Sequence, residues 1–307
     1  MEELSKEYRT GVFKRRRFKV LDGISLTVEP GETLGLVGES GCGKSTLARS
    51  LLGLIPPSSG RVLFQGREVL SSRGHMKREF CGSMQIIFQH PESALNPRMK
   101  IKDSLLEPML IQKKDLNRDQ MNSRSRELLR QVGLSEEHLS RYPHELSGGQ
   151  VQRVVLARIL SLSPRFLIAD EPTSMLDVSV QAQVLRILKQ IQAENSIGLL
   201  FISHDIEVVK WMSDRIAVMY RGQIVESAAA EELVKNPLHP YSRLLVDAFS
   251  SIKKTSTRGV WIEKDDSNPG SECLYYSLCP RAGLACRQRP VLRETGKEHY
   301  TACWLAR

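Results

Sequence analysis

The stretch Gly38-Glu39-Ser40-Gly41-Cys42-Gly43-Lys44-Ser45-Thr46 fits the pattern G-x-x-x-x-G-K-[ST]. Its flanks fit as well. Thr33-Leu34-Gly35-Leu36-Val37 is a short apolar run of the kind a buried strand shows. Leu47, Ala48, Leu51 and Leu52 recur at helical spacing, and Gly53 is placed to cap the helix. Strand, glycine loop and helix in that order turn backbone N–H groups and a helix N-terminus toward one point, which suits an anion. In such a loop Lys44 reaches the outer phosphates of a nucleotide and the Ser45 hydroxyl holds Mg²⁺. The plainer alternative, a flexible glycine turn, requires neither the strand nor the helix.

A chain of 307 residues, 41% hydrophobic and 26% charged, can bury one large core with something smaller beside it. No apolar run approaches the roughly 18 residues of a membrane span. The start, Met1-Glu2-Glu3-Leu4, lacks the basic-then-apolar order of a signal peptide. The expectation is a cytoplasmic protein that meets a membrane only through a partner. The net charge is +9, and Lys14-Arg15-Arg16-Arg17 is the densest basic run. A solvated loop is its default reading, ahead of nucleic acid or anionic lipid, because no nucleic-acid-binding motif accompanies it. Cys42 and Cys81 are isolated, whereas Cys273, Cys279, Cys286 and Cys303 crowd the C-terminal end. In a reducing compartment such clustering suggests a metal or cluster site more than a disulfide frame.

Residues 1 to 32 read as an entry hairpin, with Ile24, Leu26 and Val28 alternating with Ser25 and Thr27 as a half-buried strand. Tyr8, Phe13 and Phe18 lie upstream, and any of them could stack on a base. Val62-Leu63-Phe64 and Met84-Gln85-Ile86-Ile87-Phe88 read as strands, the second ending at Gln89-His90-Pro91. From about Ile101 to Gly133 the pattern is helical, with Leu128, Leu129 and Val132 inward, an insertion in an otherwise strand-rich chain. Leu146-Ser147-Gly148-Gly149-Gln150 opens a further helix; Ser147 as an N-cap would by itself explain that start. Phe166-Leu167-Ile168-Ala169 is an apolar strand ending in Asp170-Glu171, which puts two carboxylates at the edge where open α/β sheets bind ligands. Gly198-Leu199-Leu200-Phe201-Ile202 ends likewise in Ser203-His204-Asp205. Ile216 to Met219 and Ile224-Val225 suggest a hairpin around Arg221-Gly222, and from about Ser250 both periods fade.

The glycine loop, Leu146 to Gln150, Asp170-Glu171 and Ser203-His204-Asp205, in that order, resemble the ATP-binding subunits of ABC transporters over roughly residues 4 to 245. Phe88-Gln89-His90-Pro91-Glu92-Ser93-Ala94-Leu95-Asn96-Pro97-Arg98-Met99 and Asn236-Pro237-Leu238-His239-Pro240-Tyr241-Ser242-Arg243-Leu244-Leu245 resemble the oligopeptide, dipeptide and nickel importer group within that family. The resemblance implies an α/β fold: a P-loop NTPase (RecA-like) core, an antiparallel β entry subdomain, an inserted α-helical signature subdomain and a small Cys-rich C-terminal extension. The nucleotide-binding domain would be 1–250, its helical part about 90–161, and the extension 251–307.

The same resemblance implies ATP hydrolysis coupled to import. Gly38 through Thr46 would hold the phosphates and Tyr8 would stack on adenine. Ser45, Gln89 and Asp170 would meet Mg²⁺, Glu171 would be the general base, and His204 would contact the γ-phosphate with Lys44. Ser147, Gly148, Gly149 and Gln150 would complete a second subunit's site, and the Ser174-Met175-Leu176-Asp177 loop would cross the dimer interface. Partners would be a second ATPase subunit, alike or paralogous, two membrane-spanning permease subunits and an extracytoplasmic substrate-binding protein, with no nucleic acid. The place would be the cytoplasmic face of the inner membrane. Val151, Ile159 and Met175 depart from the family's usual residues but remove no phosphate or metal contact. The tail keeps its four cysteines, although Glu272 and Leu278 stand where Gly and Arg are usual. By analogy Cys273, Cys279, Cys286 and Cys303 would carry a 4Fe–4S cluster; their spacing, C-x5-C-x6-C-x16-C, matches neither tight zinc pairs nor a standard ferredoxin, so zinc and free thiols stay open. The alternative is a single-cassette ABC ATPase acting on nucleic acid or the ribosome; nucleic-acid-linked members usually carry two cassettes or long coiled-coil insertions, and this chain shows one cassette and no such insertion. Whether the cargo is peptide or nickel does not show in this chain.

Overall fold

The structure is a computed structural model that describes residues 1–10, 16–112, 116–252 and 272–306. Phe13 and the Lys14-Arg15 half of the basic run lie outside the described residues. The chain opens with two antiparallel strands, β1 (Glu2–Thr10) and β2 (Arg16–Ile24). The expected strand through Val28 stops at Ile24. There the Ser25 hydroxyl takes the Glu3 N–H that a ladder carbonyl would otherwise accept, and only Leu26 and Met1 still exchange main-chain bonds.

Next come β3 (Thr33–Val37) and, after the glycine loop, α1 (Lys44–Leu51). β4 (Ser59–Arg61) joins β1 in a three-stranded sheet, β2-β1-β4. β5 (Leu63–Phe64) and β6 (Arg67–Glu68) form a small hairpin, followed by β7 (Met84–Ile87). The helical stretch resolves into α2 (Ile101–Gln112) and α3 (Arg118–Gln131), with Gly133 closing at positive φ, and then α4 (Gly148–Leu160). β8 (Phe166–Asp170), α5 (Val178–Glu194), β9 (Gly198–Ile202) and α6 (Ile206–Met212) alternate. β10 (Arg215–Tyr220) and β11 (Gln223–Ala229) form the hairpin expected around Arg221-Gly222, both of which have positive φ. α7 (Ala230–Lys235) and α8 (Pro240–Ile252) follow, and α8 runs past residue 250. The chain ends in a hairpin, β12 (Arg293–Gly296) and β13 (His299–Thr301).

Eight strands make the main sheet, in the order β12-β13-β11-β10-β3-β9-β8-β7. From β10 to β7 every pair is parallel, so β3, β9, β8 and β7 present their carboxyl ends along one edge. Both faces are covered, which is why these strands read as unbroken apolar runs. Leu34, Leu36, Leu200 and Ile202 pack with Leu47 on one face; Leu199, Phe201 and Val218 pack with Leu185 and Leu188 on the other. α2, α3 and α4 share this second core through Leu105, Leu128 and Val154. The Arg158 guanidinium pins them to the segment after Gln89: it donates to Ala94 O (2.7 Å), Ser104 O (3.1 Å) and Glu107 (2.7 Å). Among the described residues no helix is long and apolar enough to cross a membrane.

The terminal hairpin is fixed by a buried carboxylate. Glu226 on β11 is fully buried and accepts from Leu238 N (2.8 Å), His239 N (2.8 Å) and His299 Nε2 (2.7 Å). Three donors compensate what an isolated buried carboxylate would cost. His239 Nδ1 in turn accepts from Tyr241 N (3.1 Å), and burial lowers the His239 pKa from 6.5 to about 4, partly offset by Glu226. His239 is therefore neutral when folded, while the unfolded chain binds its proton near pH 6.5. Its contribution to stability is present above that pH and is lost as pH falls toward about 4. We expect Tm to drop between pH 7 and 5 in thermal melts, and His239→Gln, which has no charge to gain, to flatten that part of the profile.

Candidate active site

The glycine loop closes on its own lysine. Gly43 caps α1 with φ 113°, a left-handed conformation natural to glycine. A Cβ there would stand 2.8 Å from the Val20 carbonyl oxygen, main chain that cannot easily yield. Lys44 follows as the first residue of α1 and is buried. Its ammonium arcs back over the loop and donates to Gly38 O (2.6 Å) and Glu39 O (3.0 Å). Cys42 lies beneath it, its thiol pKa raised by burial.

Asp170 is the last residue of β8 and is 3% exposed. Its Oδ1 accepts from Ser45 Oγ at 3.1 Å. Burial raises its pKa, the Ser45 bond offsets part of that, and the neighbouring Glu171 charge adds to it. Ser45 and Asp170 are two hard oxygen donors side by side, which fits Mg²⁺: that ion takes one or two protein oxygens and fills its shell with phosphate and water. Glu171 stands at φ 47°, sparsely populated for a residue with a side chain, and its N–H is held by Ile202 O at 3.0 Å. Its Oε2 lies 3.4 Å from both Gln89 Nε2 and His204 Nδ1. Gln89 follows β7 and His204 follows β9, so strand order brings both to the end of β8.

The other expected site residues have partners of their own, and some of them share a hollow with Gln89. Ser147 caps α4 in a reciprocal box: its Oγ accepts from Gln150 N (3.4 Å) and its N donates to Gln150 Oε1 (3.0 Å). Asp177 caps α5 by accepting from Val180 N (3.0 Å) and Ser179 Oγ (2.8 Å), bonds that lower its pKa. Gly148, Met175, Leu176 and Gln89 line a hollow of about 370 Å³. Tyr8 is 37% exposed on β1 with the Lys6 ammonium 5.1 Å over its ring.

Cys273, Cys279, Cys286 and Cys303 do gather, all lining one cavity of about 10 Å³, roughly the space of a single water. Burial raises the pKa of Cys273 and Cys303, which favours thiols over the thiolates a metal needs. Among the described residues no group of three or more His, Cys, Asp or Glu is arranged to hold a metal ion, so the 4Fe–4S expectation finds no support.

Sequence reading gave Tyr241 no role. Its hydroxyl accepts from Glu39 N at 2.9 Å, so a residue of α8 touches the glycine loop directly. The only local signal was the turn-rich Asn236 to Tyr241 run, which says nothing of a partner 202 positions away.

With this geometry in view, the family comparisons are consistent. The model described as "ABC transporter" matches residues 21–174, and the one described as "Oligopeptide/dipeptide transporter, C-terminal region" matches 225–286. The chain belongs to the ABC transporter ATP-binding family. It is 43% identical to the oligopeptide transport ATP-binding protein OppF of Salmonella typhimurium, over 94% of this chain and 88% of that protein. It is 42% identical to the di/tripeptide transport ATP-binding protein DppF of Pseudomonas aeruginosa, over 95% and 92%. Among solved structures it resembles cbiO1 of Clostridium perfringens, part of the ABC transporter complex cbiONQ (TM-score 0.64, 29% identity, 76% of this chain and 91% of that one). It shares its fold with the ATP-binding cassette MJ0796, solved as a dimer in a post-hydrolysis state with ADP and Pi (TM-score 0.65, 24% identity, 75% and 97%).

Gly43→Ala forces a left-handed alanine against Val20 O. We expect a stability loss of about 2 kcal/mol in denaturant melts and a rise of at least about tenfold in ATP dissociation constant. Wild-type ATP affinity in that variant would remove the loop from the site.

Proposed function

We propose that this chain is the ATP-hydrolysing subunit of an ABC importer for short peptides, seated at the inner face of the cytoplasmic membrane. One observation carries the reading: Lys44, the Ser45–Asp170 pair, and Glu171 between Gln89 and His204 share one sheet edge. The peptide transport relatives support peptide cargo over nickel, and over a role on nucleic acid. In this reading residues 1–250 form the nucleotide-binding domain, with a helical part at about 90–161, and residues 251–307 the extension.

Phosphoryl transfer asks a protein for position and charge rather than covalent help. Amides of the Gly38 to Thr46 loop other than that of Glu39 cradle the phosphates, and the Lys44 ammonium exchanges two carbonyl dipoles for phosphate charge. Ser45 and Asp170 would hold Mg²⁺, with Gln89 placed to sense it. Mg²⁺, when bound, offsets charge developing on the phosphate oxygens. Glu171 takes the proton of the attacking water, and His204 and Gln89 hold its carboxylate in line. Tyr8 stacks on the adenine. Ser147, Gly148, Gly149 and Gln150, with Asp177, face a second ATPase subunit, a reading the MJ0796 dimer supports. That pair would drive two permease subunits fed by an extracytoplasmic binding protein.

The test is a purified complex with its co-expressed neighbours in vesicles. Wild type should hydrolyse ATP and take up labelled oligopeptides or dipeptides; ATP-independent uptake, or uptake of nickel alone, overturns the reading. Glu171→Gln should lower turnover by at least about a hundredfold while leaving ATP binding intact. Unchanged turnover removes Glu171 from its role.

A further inference from the structure

We propose that Tyr241 is a positioning residue for ATP hydrolysis: its phenol oxygen fixes the first peptide of the glycine loop, and the C-terminal extension holds that phenol in place through Tyr275. The inference rests on the reading that the Gly38 to Thr46 loop receives ATP.

The peptide between Gly38 and Glu39 is held at both ends. Its carbonyl accepts from Lys44 Nζ at 2.6 Å, and its N–H donates to Tyr241 Oη at 2.9 Å. Tyr241 therefore sets the plane of the peptide that docks the lysine. It also takes this N–H out of the set that can turn toward a phosphate. A peptide flip would break both bonds at once.

Tyr241 is itself immobilised, with no exposed surface. Its ring lies 4.5 Å from that of Tyr220, at the end of β10, and 5.7 Å from that of Tyr275, which follows Cys273 in the extension. Tyr275 also meets Tyr220 edge-on at 5.4 Å and His239 at 5.8 Å. The Tyr241 main chain is tied to His239, whose own N–H is on Glu226. His299 of the terminal hairpin sits on the same carboxylate. The extension thus reaches the phosphate loop from two sides, by the ring of Tyr275 and by the Glu226 clasp.

A tyrosine whose hydroxyl is merely satisfied in a core would affect stability alone. A positioning tyrosine also moves the KM for ATP, which separates the two roles. In the reconstituted complex Tyr241→Phe keeps the ring and removes the acceptor. We expect KM for ATP to rise about fivefold with kcat within about twofold of wild type, the effect of one lost neutral hydrogen bond. Tyr275→Leu, which leaves the glycine loop untouched, should raise KM in the same direction. Tyr220→Phe, a hydroxyl deletion in the same ring cluster, should leave KM at the wild-type value. A Tyr241→Phe complex with wild-type KM, whatever its Tm, overturns the positioning role. A Tyr275→Leu complex with wild-type KM overturns the part given to the extension. A wild-type complex that hydrolyses no ATP instead defeats the functional reading beneath both, so the two failures are distinguishable.

Discussion

One buried ammonium governs the phosphate edge. Lys44 is 6% exposed, and a charge so placed is tolerated only with partners close by. Here the partners are the carbonyls of Gly38 and Glu39, which forces the loop to curl over its own lysine. That curl needs left-handed backbone at Gly41 and Gly43, and it brings Gly38 against Met219, where a Cβ would lie 2.2 Å from the main-chain oxygen. The ammonium is thus poised at a spot where a triphosphate would offer formal charge in place of dipoles.

The rest of the site follows from parallel strand order. Because β7, β8, β9 and β3 run the same way, residues far apart in sequence leave the sheet at one edge: Gln89, Asp170 with Glu171, His204 and the glycine loop. This part was legible in the sequence. Strands buried on both faces read as apolar runs; those of β7, β8 and β9 lead into polar residues now found at this edge, and that of β3 leads into the glycine loop. Glu171 adds something no pattern encodes. Its left-handed backbone, pinned by Ile202 O, turns its carboxylate between Gln89 and His204 rather than along the strand.

What the sequence hid is long-range or polar. The terminal hairpin extends the main sheet beyond β11, yet β12 is largely exposed and carries no apolar alternation, so nothing marked it as a strand. The entry strand ends at Ile24 because a serine hydroxyl competes for a ladder donor, although the alternation itself continues to Val28. Cysteine clustering suggested ligands, but the four thiols line a cavity of about 10 Å³, and among the described residues no such group is arranged to hold a metal ion. The Glu39–Tyr241 bond joins the loop to a helix that sequence reading had used only as a family marker.

The residues proposed to face a second subunit already meet local demands in this chain. Ser147 and Asp177 each satisfy the first turn of a helix, and the two helix starts approach each other at Gly149 and Val180. A Cβ on Gly149 would lie 2.3 Å from Val180 Cγ1, so the glycine is required for this chain's own packing before any nucleotide is considered. In the proposed reading, a phosphate brought by another subunit would meet the partial positive charge of these two helix N-termini. The caps therefore stabilise the monomer with the same backbone geometry that would receive a partner's ligand.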